Sequence, residues 1–490
     1  MKKIIKLLDN YFFEIVLSVL AFMALWNGYN NVGIWSDCGY KIFEGLCNNI
    51  RVDASRFSPS FLLSLCSQIF NSLQVYDVKL FIKISSYWMY FITFIPLVFI
   101  YFLLPKKQKN FFSFPLICYI LSFIFAQYFI TSEIFLSSAF YWIILLAVLF
   151  NDFKTISVSN QIILFFFCVL LTSSYQSVIM YSLFLMLLIF YRTFNIFCSL
   201  SKTKQIFILL IYFSLFISLI FNFISVFYPQ FFEYCSVNIH EKFISSIMQE
   251  ISFNIGANSS YKDYISGIVF LIKEPYLIYV FFIILIMFVK NKYINIFSFI
   301  SLIVLTWKYI LFNTTIFTNS HDYRIFVFLF TLIFSICIIF AKKIKISSFI
   351  RYKFVIIILL SVYVINTVYF GNNLNKVFNV AYENLMQYEK DIVSEKDFFI
   401  NFNEEQYGIF WDKTVFPIHL FILQLLLSDN NKEISKLVLG DIDCVSNDID
   451  KQIALENINS IVKNLRLKEI GIKYNYKLLK EIDDLNNDFI

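Results

Sequence analysis

Residues 80–104 read L-F-I-K-I-S-S-Y-W-M-Y-F-I-T-F-I-P-L-V-F-I-Y-F-L-L, and the run stops at Pro105-Lys106-Lys107-Gln108-Lys109. Some 20 helical residues cross a hydrocarbon layer of ~30 Å, so this stretch is long enough to span one. The lysines just past its end are too costly to submerge and mark where the chain meets water. Similar runs lie at 11–27, 111–130, 135–150, 161–173, 177–191, 206–228, 276–289, 294–312, 325–341 and 353–370. The whole chain agrees. Of 490 residues 59% are hydrophobic and 15% charged, with mean hydropathy +0.71, against ~45–50% and ~25% in soluble domains. That much apolar surface exceeds what one water-soluble core can bury. The expectation is an all-α polytopic membrane protein of about 11 transmembrane helices.

With Gly at 10 and Pro at 7, collagen-like and Gly/Pro-rich disordered chains are excluded. Phe (63) and Tyr (31) share A/T-rich codons with Ile, Asn and Lys, so the aromatics read as codon bias filling lipid-facing positions, with some forming interfacial belts. The net charge of +6 does not point to nucleic acid, because the basic residues sit at the ends of apolar runs. The first run is expected to stay attached rather than be cleaved: it carries Glu14 and lacks an A-x-A-like site.

Orientation follows from the short connections. Lys2, Lys3 and Lys6 precede the first run. Lys106, Lys107 and Lys109, then Lys154, then Arg192, Lys202 and Lys204, then Lys290 and Lys292, and finally Lys342, Lys343, Lys345, Arg351 and Lys353 follow every second run after that. The alternate short connections 131–134, 174–176 and 313–323 contain neither Lys nor Arg. This places the N-terminus in the cytoplasm and the C-terminus outside. Residues 1–370 then form a transmembrane domain with outer loops 28–79 and 229–275, followed by an extracytoplasmic domain, 371–490, whose composition turns to Asp, Glu, Asn and Lys. Within the first loop, 59–75 is apolar but dotted with Ser64, Ser67, Gln68 and Asn71, the pattern of a helix lying in the interface. In the tail, 373–391 reads as an amphipathic helix, 433–441 as a strand and turn, and 452–468 as helical, a small α/β module. Ser173, Ser174 and Tyr175 read as a tight hairpin. Cys118, Cys168, Cys198 and Cys337 serve as small apolar residues, while Cys38 and Cys47 share an outer loop where a disulfide is one option.

Nucleotide-phosphate loops, GxSxG and HExxH are absent from the sequence. Ionisable residues are rare in mid-run and gather instead at the predicted outer ends, as suits chemistry at the outer membrane surface. Asp37, beside Trp35, stands just beyond the first run, and Arg56 begins the return towards the membrane. A carboxylate there can accept a proton from a hydroxyl, and a guanidinium can hold a phosphate; helix capping by Asp37 and snorkelling by Arg56 are the structural alternatives. Glu133 is the one charge in an apolar hairpin, and an unpaired buried carboxylate is costly, so a polar cavity or a partner is expected for it. His321, Asp322 and Arg324 lie at the outer mouth of the tenth run, where Arg324 opposes the positive-inside rule; interfacial anchoring is its alternative role. Tyr175-Gln176 either hydrogen-bonds sugar hydroxyls or caps the hairpin. His240 and His419 read as ordinary surface residues, since no two histidines stand at ligand spacing.

In architecture and in the positions Asp37, Ser55-Arg56-Phe57 and Tyr175-Gln176 the chain resembles the GT-C glycosyltransferase superfamily, and within it the Gtr type II glucosyltransferases that modify bacterial O-antigen. The family's acidic doublet is here Asp37-Cys38, and its Gly before the Arg is Ser55. The resemblance implies a bacterial inner-membrane enzyme, an inverting hexosyltransferase acting at the outer face. Its donor would be a polyprenyl-phosphate sugar and its acceptor a surface glycan or a lipid-linked glycan, as in lipopolysaccharide modification. Asp37 would be the general base, and Arg56 and Arg324 would hold the donor phosphate. Glu133, Tyr175, Gln176, His321 and Asp322 would line the acceptor pocket. No cofactor or metal is called for, and membrane lipid, not nucleic acid, is the surrounding partner. The alternatives are an O-antigen polymerase or ligase, a lipid-linked-sugar transporter or flippase, and a membrane-anchored binding module.

Overall fold

The computed structural model describes residues 10–30, 42, 45, 57–73, 78–125, 133–174, 178–227, 275–288, 292–312, 322–344, 352–369, 371, 399–402, 422 and 437–440. Its helices are α1 (Phe12–Tyr29), α2 (Phe57–Ser72), α3 (Val78–Leu103), α4 (Ser113–Phe125), α5 (Glu133–Phe150), α6 (Val158–Thr172), α7 (Val178–Thr193), α8 (Lys202–Phe227), α9 (Pro275–Phe288), α10 (Lys292–Phe312), α11 (Asp322–Ile344) and α12 (Tyr352–Tyr369). Each of the apolar runs read from the sequence falls on one of them, and the interfacial segment 59–75 falls on α2. Among the described residues, four stretches are long and apolar enough to cross a membrane by length and composition: 12–29, 79–103, 202–220 and 352–369.

Helix α5 is the axis of the bundle. It is apolar all round, as a helix buried on every side must be, with Leu136, Ile144, Leu145 and Val148 fully buried. It packs against α2, α3, α6, α7 and α11. α1 runs antiparallel to α3: the Tyr101 hydroxyl donates to Glu14 near one end, and Gly28 lies against the Tyr87 ring near the other, where a Cβ would overlap the ring. α8 packs on α6 and α7, α9 on α10, and α11 on α4 and α5. α12 reaches α1 and α4 through Tyr352 stacked on Phe13 (5.8 Å) and Tyr363 set edge-on to Phe123 (6.0 Å).

The outside of the bundle is apolar. Phe102, Leu187, Tyr191, Phe194 and Ile162 are all more than 60% exposed. Water-soluble monomers do not display such continuous apolar surface, and together with the apolar helices this defines a membrane-embedded protein. Inside, the aromatics depart from the expectation that they mostly face lipid. Phe112, Phe114, Phe123, Phe140, Phe330, Phe334, Tyr141 and Tyr181 are among the largest fully buried side chains. Lipid tails are as apolar as leucine, so helices in a bilayer associate by packing and by hydrogen bonds rather than by the hydrophobic effect. Large rings supply that packing, as in the chain Phe13–Phe112–Tyr101. Interhelical hydrogen bonds add to it: the hydroxyls of Ser138 and Tyr181 (2.9 Å), the Ser182 hydroxyl donating to that of Ser218 (3.1 Å), and the Cys118 thiol with the Thr331 hydroxyl (3.5 Å). Cys168 is likewise buried and Cys337 half-buried, whereas Cys198 is exposed.

The basic ends of the helices meet one another. Arg192 donates to the carbonyls of Val148 and of Asn151 (3.1 Å), and Lys342 donates to that of Leu149. Lys204 donates to the carbonyl of Lys154, and Lys109 sits 3.7 Å from the centre of the Tyr101 ring. The last carbonyls of a helix lack intrahelical donors and carry the negative end of its dipole. Arg192 and Lys342 therefore close the end of α5, a structural use for residues that the sequence presents only as topology signals.

Beyond α12, two short strands, β1 (Phe399–Phe402) and β2 (Leu437–Gly440), pair in parallel with Phe399 opposite Leu437. β2 falls within the strand expected at 433–441. The expected helices 373–391 and 452–468 lie outside the described residues, as does the loop 229–275 up to residue 274.

Candidate functional site

The end of the bundle opposite the basic cluster is where the sequence placed its chemistry. Two helix termini meet there. α2 starts at Phe57-Ser58-Pro59, with proline in the first turn, where no amide N–H is missed. The Ser58 amide has no partner within its own helix, and it donates to the Ser173 carbonyl (3.0 Å) just past the end of α6. The two serine hydroxyls also hydrogen-bond each other. Each terminus thus satisfies the other. The rest of the α6 terminus is closed locally: the Thr172 hydroxyl donates to the Cys168 and Val169 carbonyls (2.7 and 2.8 Å), and that of Ser174 donates to the Leu171 carbonyl (2.7 Å).

α2 is held against α3 by its polar face. The Trp88 indole donates to the Leu62 carbonyl (3.0 Å), Gln68 donates to the Ser64 hydroxyl (3.0 Å), and the Ser85 hydroxyl lies 3.9 Å from the Cys66 sulfur. Burial pushes the Cys66 thiol up, and the Ser85 hydroxyl acts in the opposite direction. Ser58, Ser64 and Ser67 are buried. The serines dotted through this segment therefore turn towards protein. Sequence alone cannot tell a serine bound to a neighbouring helix from one facing headgroups.

α5 and α11 lie side by side and point the same way. Lys342 meets the Leu149 carbonyl at one end, and Tyr141 lies beside Ser335 farther along. Counting back at ~1.5 Å per residue, the starts of the two helices come within about two turns of each other along the axis. Glu133 is the first residue of α5, Asp322 the first of α11, and Arg324 lies in the opening turn of α11. An acidic residue at a helix start is favoured by the positive end of the dipole. That is a structural reason for Glu133 and Asp322 to stand at these helix starts; the side chains of Glu133, Asp322 and Arg324, and with them the polar partner expected for Glu133, lie outside the described residues.

Asp37, Arg56, Tyr175, Gln176 and His321 lie outside the described residues, as do Cys38, Cys47, His240 and His419. Among the described residues no group of three or more His, Cys, Asp or Glu side chains comes together. Four polar residues at the same end went unmarked in the sequence: Trp26, Asn27 and Asn30 at the close of α1, and Ser86 on α3. Asn27 is 1% exposed, and neither its amide nitrogen nor its oxygen has a hydrogen-bond partner among the described residues. The Trp26 indole nitrogen and the Ser86 hydroxyl are buried in the same condition. The asparagines are visible in N27-G-Y-N-N, which the sequence presents as the beginning of the first outer loop. Only burial singles them out. No family model, curated protein or solved structure matches the chain.

Proposed function

We infer that the chain is a GT-C-type inverting glycosyltransferase that moves a sugar, glucosyl in the nearest resemblance, from a polyprenyl-phosphate donor to a surface glycan at the outer face of a bacterial inner membrane. The observation that carries the reading is the Ser58–Ser173 contact. Arg56 precedes Ser58 by two residues and Tyr175 follows Ser173 by two, so the arginine element and the Tyr-Gln element belong to chain segments that meet across a sequence separation of 115. The neighbouring starts of α5 and α11, with Glu133, Asp322 and Arg324, support the same siting. Asp37 is the proposed general base on the acceptor hydroxyl: it takes the proton while the hydroxyl oxygen displaces the polyprenyl phosphate from the anomeric carbon, and the configuration inverts. Arg56 and Arg324 stabilise the charge that develops on the departing phosphate, and the acidic side chains and Tyr175-Gln176 hold acceptor hydroxyls.

The test is Asp37→Asn, scored as surface-glycan modification in cells with protein abundance measured in parallel. Loss of a general base lowers the rate by ~10²–10⁴. Asp53, in the same loop, is the internal control and loses less. Full modification by Asp37→Asn at normal abundance would remove Asp37 from the mechanism.

A further inference from the structure

Arg192 and Lys342 come from different helices and meet the same helix end. Arg192, in the last turn of α7, donates to the carbonyls of Val148 and Asn151, and Lys342, near the end of α11, donates to that of Leu149. Each also lies over an aromatic ring of that segment: Arg192 is 5.8 Å from the centre of Phe153 and Lys342 is 5.0 Å from that of Phe150. Both are half-buried, and the charge of Arg192 opposes that of Lys342. A third cation, Lys204, donates to the Lys154 carbonyl just beyond. Against them stands one carboxylate, since Asp152 is the only Asp or Glu in residues 134–204 and 325–353. Its charge favours that of Arg192. Yet Asp152 is exposed and accepts from the Lys154 amide (3.0 Å), and none of the three cations forms an ion pair with a described residue.

Closing the helix uses only part of what these cations offer. Both bonds of Arg192 come from one terminal nitrogen, Nη1, so Nε and Nη2 keep donors in reserve. Lys342 uses one of its three ammonium protons. Two like charges half out of water repel more strongly than they would in solution, and an anion held by both relieves that. A guanidinium meets phosphate as a fork of donors. The apolar surroundings decide which phosphate. On α7 the exposed side chains Leu183, Leu187 and Tyr191 recur about one turn apart and lead to Arg192, and on α11 Ile336 and Phe340 lead to Lys342. A phosphate carrying acyl chains covers those stripes, whereas a free ion gains nothing from them. We propose that Arg192 and Lys342 bind the phosphodiester headgroup of an anionic phospholipid at this end of the bundle. The excess of cations over carboxylates selects a headgroup of net negative charge over a zwitterionic one. The site is independent of the proposed transfer reaction.

The experiment uses the full-length protein in nonionic detergent, with thermal unfolding followed during titration with three probes: short-chain phosphatidylglycerol, short-chain phosphatidylcholine and inorganic phosphate. Phosphatidylglycerol should raise the melting point of the parent more than either of the others. Lys342→Gln and Arg192→Gln remove the charge but keep an amide N–H, and both should start from a lower melting point because the end of α5 is less well closed. The deciding readout is therefore the apparent Kd for phosphatidylglycerol, which should rise about fivefold or more in each, the equivalent of one cation at a lipid surface. Lys107→Gln, at an exposed lysine among the basic helix ends, should leave that Kd unchanged. Equal responses of the parent to phosphatidylglycerol and phosphatidylcholine would overturn the proposal. So would an equal response to inorganic phosphate, which would make the site one for a free anion, or equal weakening in all three variants, which would reduce it to diffuse surface attraction. If neither glutamine variant folds, native mass spectrometry of the parent decides: preferential retention of phosphatidylglycerol from an equal mixture with phosphatidylcholine supports the site, and retention without preference overturns it.

Discussion

Joining Ser58 to Ser173 by a disulfide tests the arrangement on which the candidate site depends. The backbone bond of 3.0 Å between them sets their Cα atoms about 5.5 Å apart by analogy with hydrogen-bonded residues in a sheet. That lies inside the ~4.4–6.8 Å window for a disulfide. The link would close a loop with the observed sequence separation of 115; on the chain-entropy relation this stabilises the folded state by about 4.8 kcal/mol, before any strain. The double variant Ser58→Cys/Ser173→Cys should be made with Cys38, Cys47 and the exposed Cys198 replaced by serine. Mild oxidant should form the bond nearly quantitatively, read by mass spectrometry of proteolytic fragments and by a melting point that falls on reduction. Ile69 is on the exposed face of α2, eleven residues and ~16 Å further along the helix. The pair Ile69→Cys/Ser173→Cys should therefore stay reduced. Absence of a 58–173 cross-link, or equal cross-linking by the control, would refute the meeting of α2 with the α6 terminus and remove the main support for one shared site.

Three further outcomes follow from the packing. Tyr181→Phe breaks the 2.9 Å bond to Ser138 and should cost roughly 0.6–1.7 kcal/mol in detergent unfolding. Tyr141→Phe, on the ring stacked 4.4 Å away, deletes a buried hydroxyl that lacks a hydrogen bond of good geometry and should be neutral or stabilising; two equal losses would contradict this. Arg192→Ala uncovers the Val148 and Asn151 carbonyls at the end of α5 and should destabilise by about 1–2 kcal/mol, with Arg192→Lys restoring only part because one ammonium replaces a fork; an unchanged melting point would show the cap to be idle. A reporter fused after Lys204 should be active inside the cell and one fused after Ile490 outside, and the reverse at either position would overturn the orientation.

Much of the helical framework is local and therefore legible in one dimension. A run such as 80–104 has no way to satisfy its backbone in an apolar medium except as a helix, and the alternation of bare and basic turns sets which helix ends lie together. In the structure two of those basic ends, at Arg192 and Lys342, do meet at the terminus of α5. β2 also falls within the segment 433–441 that reads as a strand and turn. Other features depend on contacts between residues far apart in sequence. The serines of α2 look like interfacial decoration until Trp88, Ser85 and Ser173 are seen against that face. The phenylalanines look like codon bias facing lipid, yet many of them fill the interior, because in a bilayer either place is equally apolar and only shape complementarity decides. Asn27 and Trp26 gain meaning only from burial, a property of the packed bundle rather than of the residues. Composition and periodicity state what each segment must do with its own backbone; which side chains end up beside one another is settled by packing, and the candidate site is made of such neighbours.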